Sequence, residues 1–241
     1  MLKISKKILV KRLFIYCLGI FLISLGVAFS VRSNLGVSPL NSIPKVLSEI
    51  FTSLSMGTWS IIVFCCYILM QLIILRREFH FSRLLQILCT CLFGFFVDCS
   101  NWLCSMILPD TLNYAIRLIY LIVSMALIAL GILLYLAPNI LSMPGEGVVQ
   151  VISEKSDIPF YKCKITFDVC AVIIAVFISL LAFGRLNGVR EGTVIATICV
   201  GKFLGVFTKL FQEKVNRFIG LNVPQEALSI DIASEGCCSS K

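Results

Sequence analysis

Charge is scarce in this sequence and histidine almost absent. Only 14% of its 241 residues are charged and 59% are hydrophobic, whereas about a quarter of a soluble domain is charged. A chain this poor in charge cannot clothe a water-facing surface, so lipid is the expected solvent for its fold. The single histidine, His80, lies in a basic stretch, and Cys-x-x-Cys, His-Glu-x-x-His and Gly-x-Ser-x-Gly patterns are all missing. Those absences argue against a zinc site and a His-dependent catalytic triad, so no metal, no cofactor and no enzyme are expected. The weakest of the readings weighed is therefore an intramembrane enzyme.

Cysteine, by contrast, is plentiful, with 12 residues. Cys17, Cys65, Cys66, Cys89, Cys91, Cys99, Cys170 and Cys199 sit within apolar runs, where a free thiol serves as a small hydrophobe. Cys237 and Cys238 belong to a polar tail and are read either as an unstructured end or as a lipidated or reactive pair.

The net charge of +8 could point to nucleic acid, but the cations flank apolar segments instead of lining one face. Lys3, Lys6, Lys7, Lys11 and Arg12 precede the first apolar run. Arg76, Arg77 and Arg83 lie between the second and third, and Lys209, Lys214 and Arg217 follow the last. By the positive-inside rule these clusters are cytoplasmic, which puts both termini inside and makes the number of spans even. Six spans are predicted, at 13–31, 57–75, 84–106, 117–136, 165–183 and 192–210. The first lacks a small-residue cleavage signature before Arg32 and is read as retained. No nucleic-acid partner is expected; membrane lipid is.

An internal repeat organises the chain. Laying residues 12–49 on 117–154 at a constant offset of 105 gives eleven identities in 38 positions, among them Gly26/Gly131, Asn34/Asn139, Pro39/Pro144, Ser48/Ser153 and Glu49/Glu154. Apolar bias can align leucines but not Asn, Pro, Ser and Glu. With two further residues inserted, Thr90 meets Thr197 and Gly94 meets Gly201. A repeat of three spans enters the membrane from opposite sides in its two copies, so the predicted fold is an all-α integral membrane protein of two inverted three-helix repeats. The divisions are a basic N-terminus at 1–12, repeat 1 at 13–116, repeat 2 at 117–220 and a cytoplasmic tail at 221–241. Duplication that serves structure alone is the competing reading.

After the first span of each half comes a segment too polar to span and too apolar for a plain loop, 34–51 and 139–154. Ser38 is placed to cap a short half-helix opening at Pro39; Pro144, Gly145 and Gly147 punctuate the second. Paired, Pro/Gly-interrupted segments of this kind point to a binding site, because half-helix N-termini offer unpaired N–H groups to a ligand. The alternative is two amphipathic helices lying in the two interfaces. Ionisable residues in apolar surroundings are the next clue, since a charge at the bilayer centre costs about 3 kcal/mol on insertion scales. Asp98 lies in the third span. Lys164 and Asp168 are four apart on one helix face and able to neutralise each other, and Arg190-Glu191 precede Gly192 and Thr193. Gln71 and Lys202 are read as paired or snorkelling groups.

The stretches Leu35-Gly-Val-Ser-Pro, Leu54-Ser-Met-Gly-Thr, Gln86 with Phe93-Gly-Phe-Phe-Val-Asp98, Met143-Pro-Gly-Glu-Gly147, Lys164-Ile-Thr-Phe-Asp168 and Gly188-Val-Arg-Glu-Gly-Thr193 give the chain a resemblance. It resembles the YczE/YyaS/YitT-type bacterial membrane proteins, and among them the DUF6198 branch. The resemblance implies a multi-pass bacterial plasma-membrane protein, of a kind described as a transporter or as uncharacterised, and brings no substrate with it. The leading expectation is a secondary transporter or permease for a small molecule or ion, with a coupling ion. Its central site is formed by Ser38, Asn41, Asp98, Glu146, Asp168, Arg190 and Glu191, supported by Pro39, Gln86, Pro144, Gly145, Gly147, Lys164 and Thr193. The alternative is a non-transporting membrane partner, an assembly or regulatory protein.

Overall fold

The computed structural model describes residues 6–76, 81–109, 113–184 and 191–219. Among them every regular element is helical: α1 (Lys6–Ser33), α2 (Pro39–Ile50), α3 (Met56–Leu75), a 3-10 turn (Phe81–Leu85), α4 (Gln86–Ile107), α5 (Tyr114–Leu136), α6 (Pro144–Ser156), α7 (Phe160–Phe183) and α8 (Glu191–Phe218). Five stretches are long and apolar enough to cross a bilayer, Ile8–Ser33, Met56–Leu75, Arg83–Ile107, Tyr114–Leu136 and Lys162–Phe183. They coincide with the first five predicted spans. The sixth prediction falls on α8, which has the length but also carries Lys202 and Lys209, and it is not among those five.

The two halves share backbone geometry where their sequences match. Asn34 and Asn139 both adopt a left-handed conformation, at φ 52° and 48°, a state asparagine tolerates better than most residues. Their amides donate to the carbonyls of Val31 and Leu136 at 3.1 and 3.0 Å. Ser38 and Met143 then hold extended backbone just before the half-helices, with ψ of 150° and 152°, and Pro39 and Pro144 open α2 and α6. Proline suits that first position because its missing N–H would have no partner there in any case.

The half-helices are exchanged between the halves. α2 packs along α7, and α6 along α3. Val46 of α2 and Ala175 of α7 share a buried cluster, while Gly147 of α6 leaves room for the Gln71 amide of α3. The main core lies among α1, α3, α4 and α6, with Tyr16, Ile20, Phe64, Tyr67, Phe93 and Val148 buried together.

At the centre α1 and α5 cross closely and antiparallel. A methyl group at Gly26 would stand 2.8 Å from the Ser124 carbonyl oxygen, and one at Gly131 would stand 2.7 Å from that of Gly19. Under the offset of 105 these are the same contact made twice, since Gly19 corresponds to Ser124 and Gly26 to Gly131. Lipid supplies little hydrophobic drive between helices, so small residues that let backbones approach carry the association. α8 runs antiparallel to α1 over its length: Gly192 N–H donates to the Leu35 carbonyl beyond one end of α1 (2.9 Å), and Arg12 Nε reaches the Ile219 carbonyl near the other (3.5 Å).

One packing relation is not duplicated. α3 and α4 lie along each other, and a side chain on Gly57 would run into the Gly94 carbonyl. Among the described residues α7 and α8 do not pack in this way. The residue corresponding to Gly94 is Gly201, and it meets nothing within 4 Å.

Candidate functional site

The polar residues inside this apolar protein gather at the N-terminus of α6. Gln71 is fully buried and bridges three elements: its amide nitrogen donates to the Pro144 carbonyl (3.1 Å) and to Gln86 Oε1 (3.0 Å). Arg83 donates to its amide oxygen at 3.3 Å and stands 3.9 Å from Glu154 near the other end of α6. This network pins the first turn of α6 against α3 and α4, and gives the buried Gln71 amide the partners it needs in a low-dielectric interior.

Two residues beyond Pro144, Glu146 points into a cluster of polar side chains from four other elements. Lys164 and Asp168 of α7, Tyr135 of α5 and Tyr16 of α1 are its electrostatic neighbours, and Tyr67 of α3 neighbours Asp168. Lys164 and Asp168 form the predicted i, i+4 ion pair, Nζ to Oδ1 3.0 Å. Glu146 is partly exposed as a residue, yet its Oε2 is buried without a hydrogen-bond partner, and so are the hydroxyls of Tyr135 and Tyr67. Tyr16, in contrast, is satisfied by the Leu141 carbonyl (3.2 Å) and Cys89 Sγ (2.9 Å).

At the N-terminus of α2, Ser38 stands in the capping position as predicted, but its hydroxyl oxygen accepts from the Asn41 side chain (2.9 Å) instead of from a backbone amide. Asn41 is 5% exposed, and its Oδ1 is buried with no hydrogen-bond partner. The loop leading in is tied by Ser30, whose hydroxyl donates to the Gly36 carbonyl at 2.7 Å. Thr193 is buried on α8, one residue past the Gly192 amide that holds Leu35.

The two N-termini meet. Leu40 of α2 packs on Gly145 of α6, where an added methyl group would stand 3.0 Å from the leucine. Leu40 and Gly145 are equivalent under the offset of 105, as are Asn41 and Glu146. The contact therefore marks the relation between the halves, with a buried, unpartnered oxygen on each side of it, an amide in one half and a carboxylate in the other.

The structure thus brings Glu146, Asp168, Lys164, Gln86, Pro144, Gly145 and Gly147 together and joins them through Leu40 to Pro39, Ser38 and Asn41. Asp98 is elsewhere. Its carboxylate accepts from Gly57 N–H (2.8 Å) and the Ser55 hydroxyl (2.6 Å) at the start of α3, about 20 Å along that helix from Gln71. There it closes the first turn, where free N–H groups favour an anion. Arg190 lies outside the described residues, and Glu191 is the first residue of α8. Sequence reasoning overlooked the tyrosines. Tyr16, Tyr67 and Tyr135 are three of only six tyrosines, and a phenol within an apolar run is the signal that could have marked them, because its hydroxyl needs a partner wherever it is buried.

Residues 10–209 match the model of DUF6198, a family of unknown function. The chain is 26% identical over 203 residues to the uncharacterized protein YyaS of Bacillus subtilis (strain 168), covering 84% of this chain and 92% of that one. It is 27% identical over 152 residues to the uncharacterized membrane protein YczE of the same organism, covering 63% and 67%. No solved structure matches. The chain belongs to the DUF6198 family and is a multi-pass membrane protein.

Proposed function

We propose that this protein is a small secondary transporter or permease of the plasma membrane, working through one central site between two inverted repeats. The observation that carries the proposal is the meeting of α2 and α6 at Leu40 and Gly145, with the unpartnered oxygens of Asn41 and Glu146 on its two sides. Non-helical backbone within a membrane protein is tolerated where it is covered by protein or lines a cavity, and paired broken segments are how inverted-repeat transporters build their sites.

The same geometry supports a topology of six spans with both termini cytoplasmic. The antiparallel crossing of α1 and α5 is what inversion of one repeat on the other requires. Arg12 lies against Ile219 and Lys11 over the Phe218 ring (5.0 Å), so the start of α1 and the end of α8 share a side. Five crossings would leave those ends on opposite sides; a sixth, by α8, reconciles them. The basic clusters then make that side cytoplasmic. Within the site Asn41, Glu146 and Asp168 contact the substrate or coupling ion, with Ser38, Lys164 and the tyrosines arranging them. Asp98 serves the fold of the first half.

The reading is tested with purified protein in detergent, screening melting temperature against amino acids, vitamins, thiols, nucleobases and ions, followed by flux into proteoliposomes for any hit. A ligand selective for the native state at one hundred times its Kd adds about 2.7 kcal/mol of stability, well within detection. A compound that stabilises the wild type, does not stabilise Glu146→Gln and crosses the bilayer only with protein present supports transport. No stabilising compound, with both proteins folded and a binding protein captured by crosslinking in native membranes, would favour the non-transporting partner.

A further inference from the structure

Resting on that reading, we infer that Glu146 is an exchangeable proton site and holds a proton in the conformation described here. Three observations lead there. Glu146 Oε2 is buried with no hydrogen-bond partner, and an uncompensated charge in such a place is far costlier than a neutral carboxyl. The cation that could compensate it is already engaged, since Lys164 Nζ is 3.0 Å from Asp168 Oδ1. With both carboxylates ionised the cluster would carry one excess negative charge. Asp168 has an ion-pair partner at 3.0 Å whereas Glu146 Oε2 has none, so the proton is assigned to Glu146.

The third observation is the repeat. Asn41 occupies the matching position in α2, third in its half-helix as Glu146 is in α6. A permanently neutral amide therefore satisfies the fold at this position, and the ionisable side chain in the second half is there for something the fold does not need. The groups facing Glu146 are Tyr16 from α1, Tyr135 from α5 and the Lys164–Asp168 pair from α7, with Tyr67 of α3 beside Asp168. The N–H groups of the first turn of α6, together with Lys164, favour the anion, which keeps the proton exchangeable. When protonated, the carboxyl is neutral beside the Tyr135 hydroxyl, its electrostatic neighbour. When the proton leaves to water on one face, the carboxylate accepts from that same hydroxyl. One proton is bound and released per cycle, with no covalent chemistry.

Infrared spectroscopy of the full chain in liposomes, in choline chloride, tests this without a substrate. A protonated-carboxyl carbonyl band is expected in wild type near neutral pH, shifted by [13C]glutamate labelling, lost in Glu146→Gln and kept in the exposed control Glu154→Gln. Should Glu146→Gln not fold, labelled wild type alone decides between glutamate and any other carboxyl. Absence of the band, or its persistence in Glu146→Gln, overturns the inference. A melting temperature that rises in sodium but not choline chloride, in wild type and not in Glu146→Gln, also overturns it by making the ligand a metal cation. The linkage has a definite sign: the unfolded chain releases this proton above the ordinary carboxylate range while the native state keeps it. Wild-type stability therefore falls as pH rises, by up to about tenfold in the folding equilibrium per unit, and the fall is absent in Glu146→Gln. Flux without the carbonyl band would sink the proton assignment alone. The band with neither flux nor ligand would sink the transport reading alone.

Discussion

The first half of the molecule is closed where the second is open, and the difference comes down to a few residues. In α4, Gly94 lets α3 approach and Asp98 ties down the first turn of that helix; at the matching places in α8 stand Gly201 and Gly205, where an added methyl group would meet none of the described residues within 4 Å. The second half thus has a helix smooth enough to be packed upon but no acid to capture a neighbouring N-terminus, and α7 opens behind Pro159 with no side-chain cap. Around the central crossing the halves behave in the opposite way, repeating each other's dihedrals to within a few degrees. Backbone geometry is retained where both halves need it, and side chains diverge where each half has its own task.

Substitutions can break or sharpen that contrast. The largest effect is expected from Gly57→Val, whose side chain collides with the Gly94 backbone, costing on the order of 3 kcal/mol or preventing accumulation of folded protein, as read from melting in detergent. Asp98→Asn retains shape but loses the charge in its two hydrogen bonds, and should cost about 2 kcal/mol; it should leave any ligand-induced stabilisation unchanged, because it lies far from Glu146. Asn34→Ala and Asn139→Ala test equivalence directly: each puts alanine in a left-handed turn and should cost roughly 1 kcal/mol, by equal amounts in the two halves. Unequal costs would show that the matching dihedrals hide different surroundings. Gly201→Ala should change stability by less than about 0.5 kcal/mol, since nothing meets the added methyl group. A large loss there would mean that α8 is covered in the native membrane.

Much of this was legible beforehand, for identifiable reasons. Apolar runs of span length located the helices, because in lipid the backbone must satisfy its own hydrogen bonds. The proline at 39 located the start of the first half-helix to the residue, whereas in the second half Pro144, Gly145 and Gly147 were read as punctuation, although the helix in fact opens at Pro144. The spacing of Lys164 and Asp168 announced their ion pair. α8 was less legible: Lys202 and Lys209 dilute its apolar signal, and its reach from beside Leu35 to beside Arg12 became plain only from contacts at its two ends. For Asp98 sequence gave the charge and not the use, because a carboxylate that closes a helix turn and one that binds a ligand look alike until their neighbours are known.

By itself, then, the sequence determined the solvent, the helices and the proline that opens the first half-helix, all properties of composition and of residues a few positions apart. Tertiary structure decided which carboxylate is engaged and which is left without a partner, that α2 and α6 meet at Leu40 and Gly145, and that Tyr16 and Tyr135 neighbour Glu146 while Tyr67 neighbours Asp168. Those facts depend on contacts between residues far apart in the chain, and no local preference encodes them.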